Sequence, residues 1–276
     1  MTEQVVHTER FDAVLCIRLA SPGNRNSLTA ALREQLGDAV ALARRDKDVR
    51  AVLLASEGPV FCSGGDLRML RDACDPWPVH RRFRAMDRWF LPLLSLDKPL
   101  VVAMQGPGVG GGMGLALCGD LTLAAESAEF VAGFFRLGVI PDVGIMYLLP
   151  RLIGMARTRN FLFGGGRIDA RQAADWGLVA RVVPDAELFD AALREARRLA
   201  DGPAEVMGLA KSLLARSFET GMADMFMLEG LGQALAQSHP EFREGLAAAL
   251  EKRPADFAGA ARRAEDRAAD RTGGVT

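Results

Sequence analysis

The 276-residue sequence contains few of the residues from which metal sites, disulfides and thiol nucleophiles are built. It has four cysteines and three histidines, which are scattered along the chain without a Cys-x-x-Cys pair. This spacing argues against a metal centre and against a disulfide framework. Cys62 and Cys118 are predicted to be small core residues, because no histidine accompanies either of them in the sequence.

The chain also lacks an excess of charge of either sign. Its 34 basic and 35 acidic residues give a formal net charge of -1. This balance gives no electrostatic reason to expect nucleic acid or an anionic membrane as a partner, although small anionic ligands remain open. The first twelve residues, MTEQVVHTERFD, carry charges and no apolar signal-peptide core, so a cytoplasmic location is expected.

One long stretch has no charge at all: residues 99–119 read PLVVAMQGPGVGGGMGLALCG. A membrane span of that length is disfavoured, because Pro107 and the triple glycine would interrupt a helix. Clustered glycines instead let the main chain approach a ligand with its N–H groups, and a helix beginning there adds partial positive charge. The stretch predicts a backbone site for phosphate, carboxylate or a developing oxyanion.

Strand and helix patterns alternate through the first half of the chain. Strands are predicted at 11–19, 49–55, 100–104 and 120–125, with helices at 29–45 and 80–94 and a further helix that Asp66 caps. From about residue 185 the pattern is mostly helical, and it includes a Met-rich apolar face from Met222 to Leu235 that is typical of packing or of a subunit contact. The alternation predicts an α/β layered domain with a helical appendage.

The glycine stretch permits a second interpretation, dinucleotide binding. Gly106, Gly108 and Gly111 satisfy the pattern G-x-G-x-x-G directly after a predicted strand. Pro107 stiffens that turn, however, and no acidic residue closes a clean second strand about twenty residues later. A nicotinamide oxidoreductase is therefore the weaker alternative.

Four segments in order resemble the enoyl-CoA hydratase/isomerase family, also called the crotonase family. They are FCSGGDL, QGPGVGGGMGLALCGDLTLAAESAEF, LGVIPDVG and GGRIDARQAADWGLVARVV, supported by NRNSLT and EGLAAALEKRPADF, and the resemblance spans residues 10–257. It implies a spiral of ββα turns over residues 1–200 and a helical trimerisation region over 201–257. The polar, charge-alternating residues 258–276 are predicted to be a disordered tail.

The resemblance also implies a ligand and a set of site residues. The ligand is an acyl-CoA thioester, with no cofactor beyond the coenzyme A that the substrate carries, and the assembly is a homotrimer or a dimer of trimers. By motif position the oxyanion donors are the amides of Gly65 and Gly111. The implied contacts to the substrate and its coenzyme A come from the two glycine loops, two cations and an apolar turn: Arg25, Ser63, Gly64, Gly65, Asp66, Leu67, Gly110, Gly111, Phe134, Leu137 and Lys252.

The side chains that would set the reaction depart from the hydratase pattern. The family's hydratases carry two glutamates that hold water, and this chain has Gly114 and Phe134 at those positions. Asp142, in IPDVG, lies where isomerase branches often have an acid, so it is predicted to be the acid/base that relocates a double bond. It is also placed to cap the helix that follows.

Two other functions stay open. Hydration directed by Asp142 alone is one, and non-catalytic acyl-CoA binding, favoured by the missing glutamates, is the other. An apolar acyl pocket is expected from residues 67–90, with Met69, Leu70, Trp77, Phe83 and Trp89 as its candidate lining.

Overall fold

The computed structural model describes residues 3–68 and 75–272, with side chains described as far as residue 264. The strands are β1 Val6–Phe11, β2 Val14–Leu19, β3 Ala51–Ser56, β4 Leu100–Met104, β5 Pro107–Val109, β6 Leu121–Ala125, β7 Glu129–Val131, β8 Arg167–Asp169 and β9 Arg181–Val183. The helices of the first two thirds are α1 Ala30–Arg45, α2 Pro76–Arg84, α3 Phe90–Leu94, α4 Gly111–Leu117, α5 Ile145–Phe163 and α6 Ala170–Asp175. The helices that follow are α7 Leu188–Asp201, α8 Ala204–Leu214, α9 Met222–Ser238, α10 Pro240–Glu251 and α11 Phe257–Thr272.

The strands form a large sheet and a small one. The large sheet has the order β1-β2-β3-β4-β6-β9 and is parallel from β2 onward, while β1 is antiparallel to β2. The small sheet has the order β5-β7-β8 and touches the loop after β3 through a Cys62–Gly108 bridge. A mainly parallel sheet with long crossover connections is the α/β layered domain that the alternating patterns predicted.

The central strands are buried on both faces, as their continuous apolar sequences require. Successive residues of β3 alternate between two cores, with Val52 and Leu54 in the larger one and Ala51 and Leu53 in the other. Helix α1 covers the first face through Leu32, Leu36 and other apolar residues, and helix α7 covers the second through an alanine-rich stripe. The two layers hold the sheet rigidly beneath the loops at its carboxyl edge.

The structure departs from the sequence predictions at three elements. The predicted helix at 80–94 is divided into α2 and α3, separated by a 3-10 turn at Ala85–Arg88. Strand β1 was not predicted, because its four middle residues are polar or charged and exposed and only Val6 is buried. The prediction of a disordered tail is wrong for 258–272, which belongs to α11.

Local contacts explain the additional helix α11. Asp256 Oδ1 accepts a hydrogen bond of 2.8 Å from the Gly259 N–H, and Ala260 is buried. Arg263 pairs with the other oxygen of Asp256 at 3.0 Å. Capping and packing of the small apolar residues therefore outweigh the charge alternation on which the prediction of disorder rested. Among the described helices, none is long and apolar enough to cross a membrane.

Candidate active site

Two glycine loops lie side by side at the carboxyl ends of the neighbouring parallel strands β3 and β4. The Val109 N–H donates to the Cys62 carbonyl at 2.9 Å, and the Cys62 N–H donates to the Pro107 carbonyl at 3.3 Å. Gly112 lies against the same segment, since a Cβ added there would come within 2.2 Å of the Cys62 carbonyl oxygen. The loops that the sequence singled out thus form one structure.

Gly64 and Gly111 bring the main chains of the two loops into direct contact. Gly64 has a φ of +78°, and a Cβ added there would lie 2.4 Å from the Val109 carbonyl oxygen and 3.2 Å from the Gly111 nitrogen. Neither the Gly65 N–H nor the Gly111 N–H donates a hydrogen bond to any residue within 3–68 or 75–272. Gly111 is also the first residue of α4, where amides have no partner inside the helix. Both amides are therefore left without a hydrogen-bond partner in the described part of the chain.

The loop before Ser63 is held in place by a buried asparagine. Asn26 is fully buried and has a φ of 51°; its amide group donates to the carbonyls of Glu57 and Val60 and accepts from the Ser21 N–H. The adjacent Arg25 accepts a hydrogen bond of 3.0 Å from the Ser63 N–H through its carbonyl, and its side chain is exposed. Sequence reasoning singled out Arg25 in this segment and missed Asn26, whose burial the motif letters do not reveal.

Asp142 lies beside Gly111. A Cβ added at Gly111 would be 3.3 Å from Asp142 Oδ1 and 2.8 Å from a methyl group of Val143. The carboxyl group is half-buried, and this burial raises its pKa above the ordinary value, against the opposing influence of the Arg82 guanidinium on α2 and of a backbone amide. The structure thus brings a carboxyl group of weakened acidity next to Gly111, a residue of the glycine loop.

The alternative role of Asp142 as a helix cap is wrong. Helix α5 begins at Ile145 with Gly144 as its N-cap, and no side chain caps it. The Ile145 N–H donates instead to the main-chain carbonyl of Asp142 at 3.1 Å. The carboxyl group is therefore directed to the glycine loop rather than to the helix end.

The two positions that hydratases fill with glutamate are closed here. A Cβ added at Gly114 would lie 2.0 Å from the Val143 carbonyl oxygen, so only glycine fits at that point of α4. Phe134 is buried, and its ring lies 3.7 Å from where a Cβ at Gly110 would be. Neither residue can hold a water molecule as a carboxylate does.

The remaining predicted contacts are placed unevenly. Asp66 caps the turn after the loop, accepting from the Arg68 N–H at 3.0 Å, and the hydrogen bonds of Arg68 hold the pKa of Asp66 below its ordinary value. Leu67 and Leu137 are exposed near the loop ends. Of the expected acyl pocket, Trp77 and Phe83 are exposed, Trp89 is buried in the core, and Met69 and Leu70 lie outside the described residues.

Lys252 is not brought to the glycine loops by its own chain's described contacts. It ends α10 in a left-handed conformation, where its N–H bonds the carbonyls of Ala248 and Ala249. Glu241, in the first turn of that helix, forms an ion pair with Arg50, the residue before β3. The glycine loop follows β3, so the attachment lies at the opposite end of the strand.

The cysteines have the core role predicted for them. Cys62 and Cys118 are buried, and burial raises the pKa of each thiol to about 12, which leaves little thiolate at neutral pH. Over the described part of the chain, no group of three His, Cys, Asp or Glu residues is arranged to hold a metal ion.

This architecture, a spiral α/β core with helices after it, is the crotonase fold. The chain belongs to the enoyl-CoA hydratase/isomerase family, whose sequence model matches residues 9–260. A structure from Cupriavidus metallidurans CH34, titled enoyl-CoA hydratase/isomerase, superimposes with a TM-score of 0.87 at 32% identity, covering 93% of this chain and 97% of that one.

Three curated relatives carry the names of different reactions. A 1,2-epoxyphenylacetyl-CoA isomerase of Escherichia coli (strain K12) is 37% identical, over 92% of this chain and 97% of its own. A probable enoyl-CoA hydratase of Rhodobacter capsulatus is 33% identical, over 94% and 100%. A 4-chlorobenzoyl coenzyme A dehalogenase of Arthrobacter sp is 29% identical, over 88% and 89%. The protein is an acyl-CoA enzyme of this family, and its reaction has to be argued from its own residues.

Proposed function

We propose that the protein relocates a carbon–carbon double bond of an enoyl-CoA thioester, with Asp142 as the acid/base. The observation that carries this proposal is the position of Asp142 Oδ1 beside Gly111, in a site whose two glutamate positions hold Gly114 and Phe134. A single carboxylate next to a main-chain donor suits proton relocation better than hydration, which needs groups that orient and activate water.

The chemistry needs one base and one anion site. The Asp142 carboxylate removes a proton from the α-carbon of a 3-enoyl thioester, and the electron pair moves to the thioester oxygen as a dienolate. The amides of Gly65 and Gly111 stabilise that oxygen, each contributing roughly 3 kcal/mol to transition-state stabilisation. The protonated Asp142 then returns the proton at the γ-carbon, which leaves the 2-enoyl thioester. No cofactor beyond the coenzyme A of the substrate is required.

The raised pKa of Asp142 supports this role. A stronger base than an ordinary carboxylate removes an α-proton more readily, and the same group is then acidic enough to return it. Phe134 is buried on one side of the site, so solvent protons reach the dienolate through the carboxyl group of Asp142.

The test compares two reactions of the wild-type protein. Conversion of 3-hexenoyl-CoA to 2-hexenoyl-CoA and hydration of crotonyl-CoA are measured under the same conditions. We expect isomerisation to exceed hydration by at least about 100-fold in kcat/KM, the effect of one well-placed proton-transfer group. Equal or faster hydration would contradict the proposal, and binding of both thioesters without turnover would select the non-catalytic alternative.

A second candidate reaction is isomerisation of an aromatic-ring epoxide carried on coenzyme A. It is favoured by the relative named 1,2-epoxyphenylacetyl-CoA isomerase, which is 37% identical over almost the whole chain. Asp142 would then act from its protonated form, donating a proton to the epoxide oxygen and recovering it as the isomer forms. Offering the ring epoxide and 3-hexenoyl-CoA to the same preparation ranks the two substrates by kcat/KM.

We also propose that the protein is a cytoplasmic homotrimer or dimer of trimers. Apolar side chains of the helical region that are exposed in the single chain support assembly, and they include Phe218, Phe226 and Leu231. Light scattering coupled to size exclusion should give three or six times the 29.7 kDa chain mass. A monomer would contradict this assembly without affecting the reaction proposed.

A further inference from the structure

The four residues from Asp142 to Ile145 form a turn of an unusual kind. Val143 has a φ of 47° and Gly144 a φ of 75°, and the Ile145 N–H donates to the Asp142 carbonyl at 3.1 Å. Left-handed conformations at both central residues define a type I′ turn, which favours Asn, Asp or Gly at those positions. A β-branched valine at the first of them is a conformational outlier, and such outliers persist only where surrounding contacts enforce them.

The contacts that enforce this conformation come from two glycines of α4. Val143 is 4% exposed; one of its methyl groups lies 2.8 Å from where a Cβ at Gly111 would be, and the other 2.8 Å from one at Gly114. The Val143 carbonyl oxygen occupies the Gly114 position even more closely, at 2.0 Å. The isopropyl and carbonyl groups of Val143 thus fill the space that these glycines leave open.

The other side of the turn is supported as well. The ring of Phe90, at the start of α3, lies 2.9 Å from where a Cβ at Gly144 would be. The turn is therefore held between α4 and α3, and Asp142 is its first residue. Any relaxation of Val143 toward an ordinary negative φ would rotate the peptide that joins it to Asp142.

We propose that Val143 is a positioning residue, whose packing against Gly111 and Gly114 holds the carboxyl group of Asp142 beside Gly111. This inference rests on the acid/base role proposed for Asp142. It also gives Gly114 a structural role. At the position where hydratases carry glutamate, this glycine leaves room for Val143, which follows Asp142 in the turn. The lack of glutamate at position 114 and the placement of Asp142 then have the same structural cause.

The test replaces Val143 by alanine, which keeps the Cβ but removes the two methyl groups that pack against Gly111 and Gly114. Val179→Ala is the matched control, because Val179 is also 4% exposed and packs in the same core cluster. We expect both variants to lose stability to a similar extent. Only Val143→Ala should lower kcat for isomerisation, by about 10- to 100-fold with KM changed less than about threefold, because misplacement by about 1 Å has effects of that order.

A second readout does not depend on turnover. Carbon-13 NMR of labelled aspartate follows the titration of Asp142, assigned by its loss in Asp142→Asn. The described charged group that acts on this carboxyl is Arg82 of α2, and both variants keep it. We expect the pKa of Asp142 to fall toward its ordinary value in Val143→Ala, because a displaced carboxyl group becomes more exposed to water. In Val179→Ala the pKa of Asp142 should stay unchanged.

Val143→Thr supplies the rescue, since threonine keeps the branched shape. It should retain a kcat within about threefold of wild type and the wild-type titration of Asp142, at some cost in stability from the buried hydroxyl. If Val143→Ala cannot be obtained folded, Val143→Gly gives the same two readouts, because glycine adopts a positive φ without strain.

Two results would overturn the inference: an unchanged Asp142 titration in Val143→Ala, or a kcat loss that Val179→Ala reproduces. These results are distinct from failure of the proposed reaction. That failure would appear in Asp142→Asn as undiminished turnover, whatever Val143 does.

Discussion

The glycine-loop site and the helical region after residue 201 differ in what surrounds their characteristic residues. At the site, glycines lie against main-chain atoms of the same chain: Gly112 against Cys62 and Gly114 against Val143. In the helical region, apolar side chains are exposed instead: Leu214, Phe218, Met222, Phe226, Met227, Leu231 and Leu235. The chain alone therefore fixes the geometry of its site, while the helical region leaves large apolar side chains exposed.

A buried ion pair joins the helical region to the core at the end of β3 opposite the glycine loops, and breaking it should have the largest effect on stability. The Arg50 guanidinium donates to Glu241 at 2.9 Å and to the carbonyls of Ala200 and Gly202, each at 2.8 Å, while Glu241 is fully buried. Glu241→Ala leaves a buried cation without its carboxylate, so we expect a loss of about 3–5 kcal/mol in the free energy of unfolding, measured by urea denaturation.

The matched control is the exposed pair of Arg197 with Asp12, which has the same 2.9 Å separation. Arg197→Ala should cost less than about 1 kcal/mol. Equal losses in the two variants would show that the buried pair does not fasten the helical region to the core.

The second prediction concerns the packing of Val143 against Gly114, next to Asp142. Gly114→Ala places a Cβ on the Val143 carbonyl, so we expect a loss of about 1–3 kcal/mol in stability together with impaired isomerisation. Gly230→Ala in α9 is the control, because nothing lies within 4 Å of a Cβ at that position. The control should be neutral or more stable by up to about 1 kcal/mol, and a neutral Gly114→Ala would contradict the packing described.

The contrast between the regions also explains what the sequence could predict. Glycine clusters are readable, because repeated glycine has few uses other than close approach of the main chain, and both loops were found from them. The departure from the hydratase pattern was visible in Gly114 and Phe134. These are local signals, carried by residue type and motif position.

The rest depended on contacts between distant segments. Nothing in the dipeptide Val143-Gly144 signals a type I′ turn, because valine is among the residues that avoid it. The influence of Arg82 on Asp142 arises from α2, about sixty residues earlier in the chain. The ion pair that attaches α10 to Arg50 joins residues 191 positions apart. The sequence therefore singled out Lys252 without showing which end of the sheet its helix contacts.

The third prediction uses the raised pKa of Asp142. A carboxyl whose folded pKa exceeds its unfolded pKa binds more protons when folded, so its contribution to stability falls as pH rises between those values. Asp142→Asn removes that penalty. We expect the variant to unfold at the same Tm as wild type in acid, below the ordinary carboxyl range, and at a higher Tm at pH 7.

Thermal unfolding of both proteins across that pH range checks the prediction. A variant less stable than wild type at neutral pH would mean that the carboxylate is stabilised where it lies. The carboxyl group of Asp142 would then be held in the site without a cost in stability.

The smallest expected effect is at the entrance to the site. Arg25 is exposed beside Ser63, where a guanidinium can approach a phosphate of coenzyme A. Arg25→Ala should raise KM for acyl-CoA by about 3- to 10-fold with little change in kcat, and the effect should shrink at high salt. Arg171→Ala, an exposed arginine of α6, should change neither constant.

The most direct test of the central claim is proton exchange at the α-carbon of a bound thioester. Wild-type protein incubated with 3-hexenoyl-CoA in deuterium oxide should incorporate deuterium, and Asp142→Asn should do so at least about 100-fold more slowly while still binding the thioester. Deuterium incorporation by Asp142→Asn at the wild-type rate would contradict the assignment of Asp142 as the acid/base.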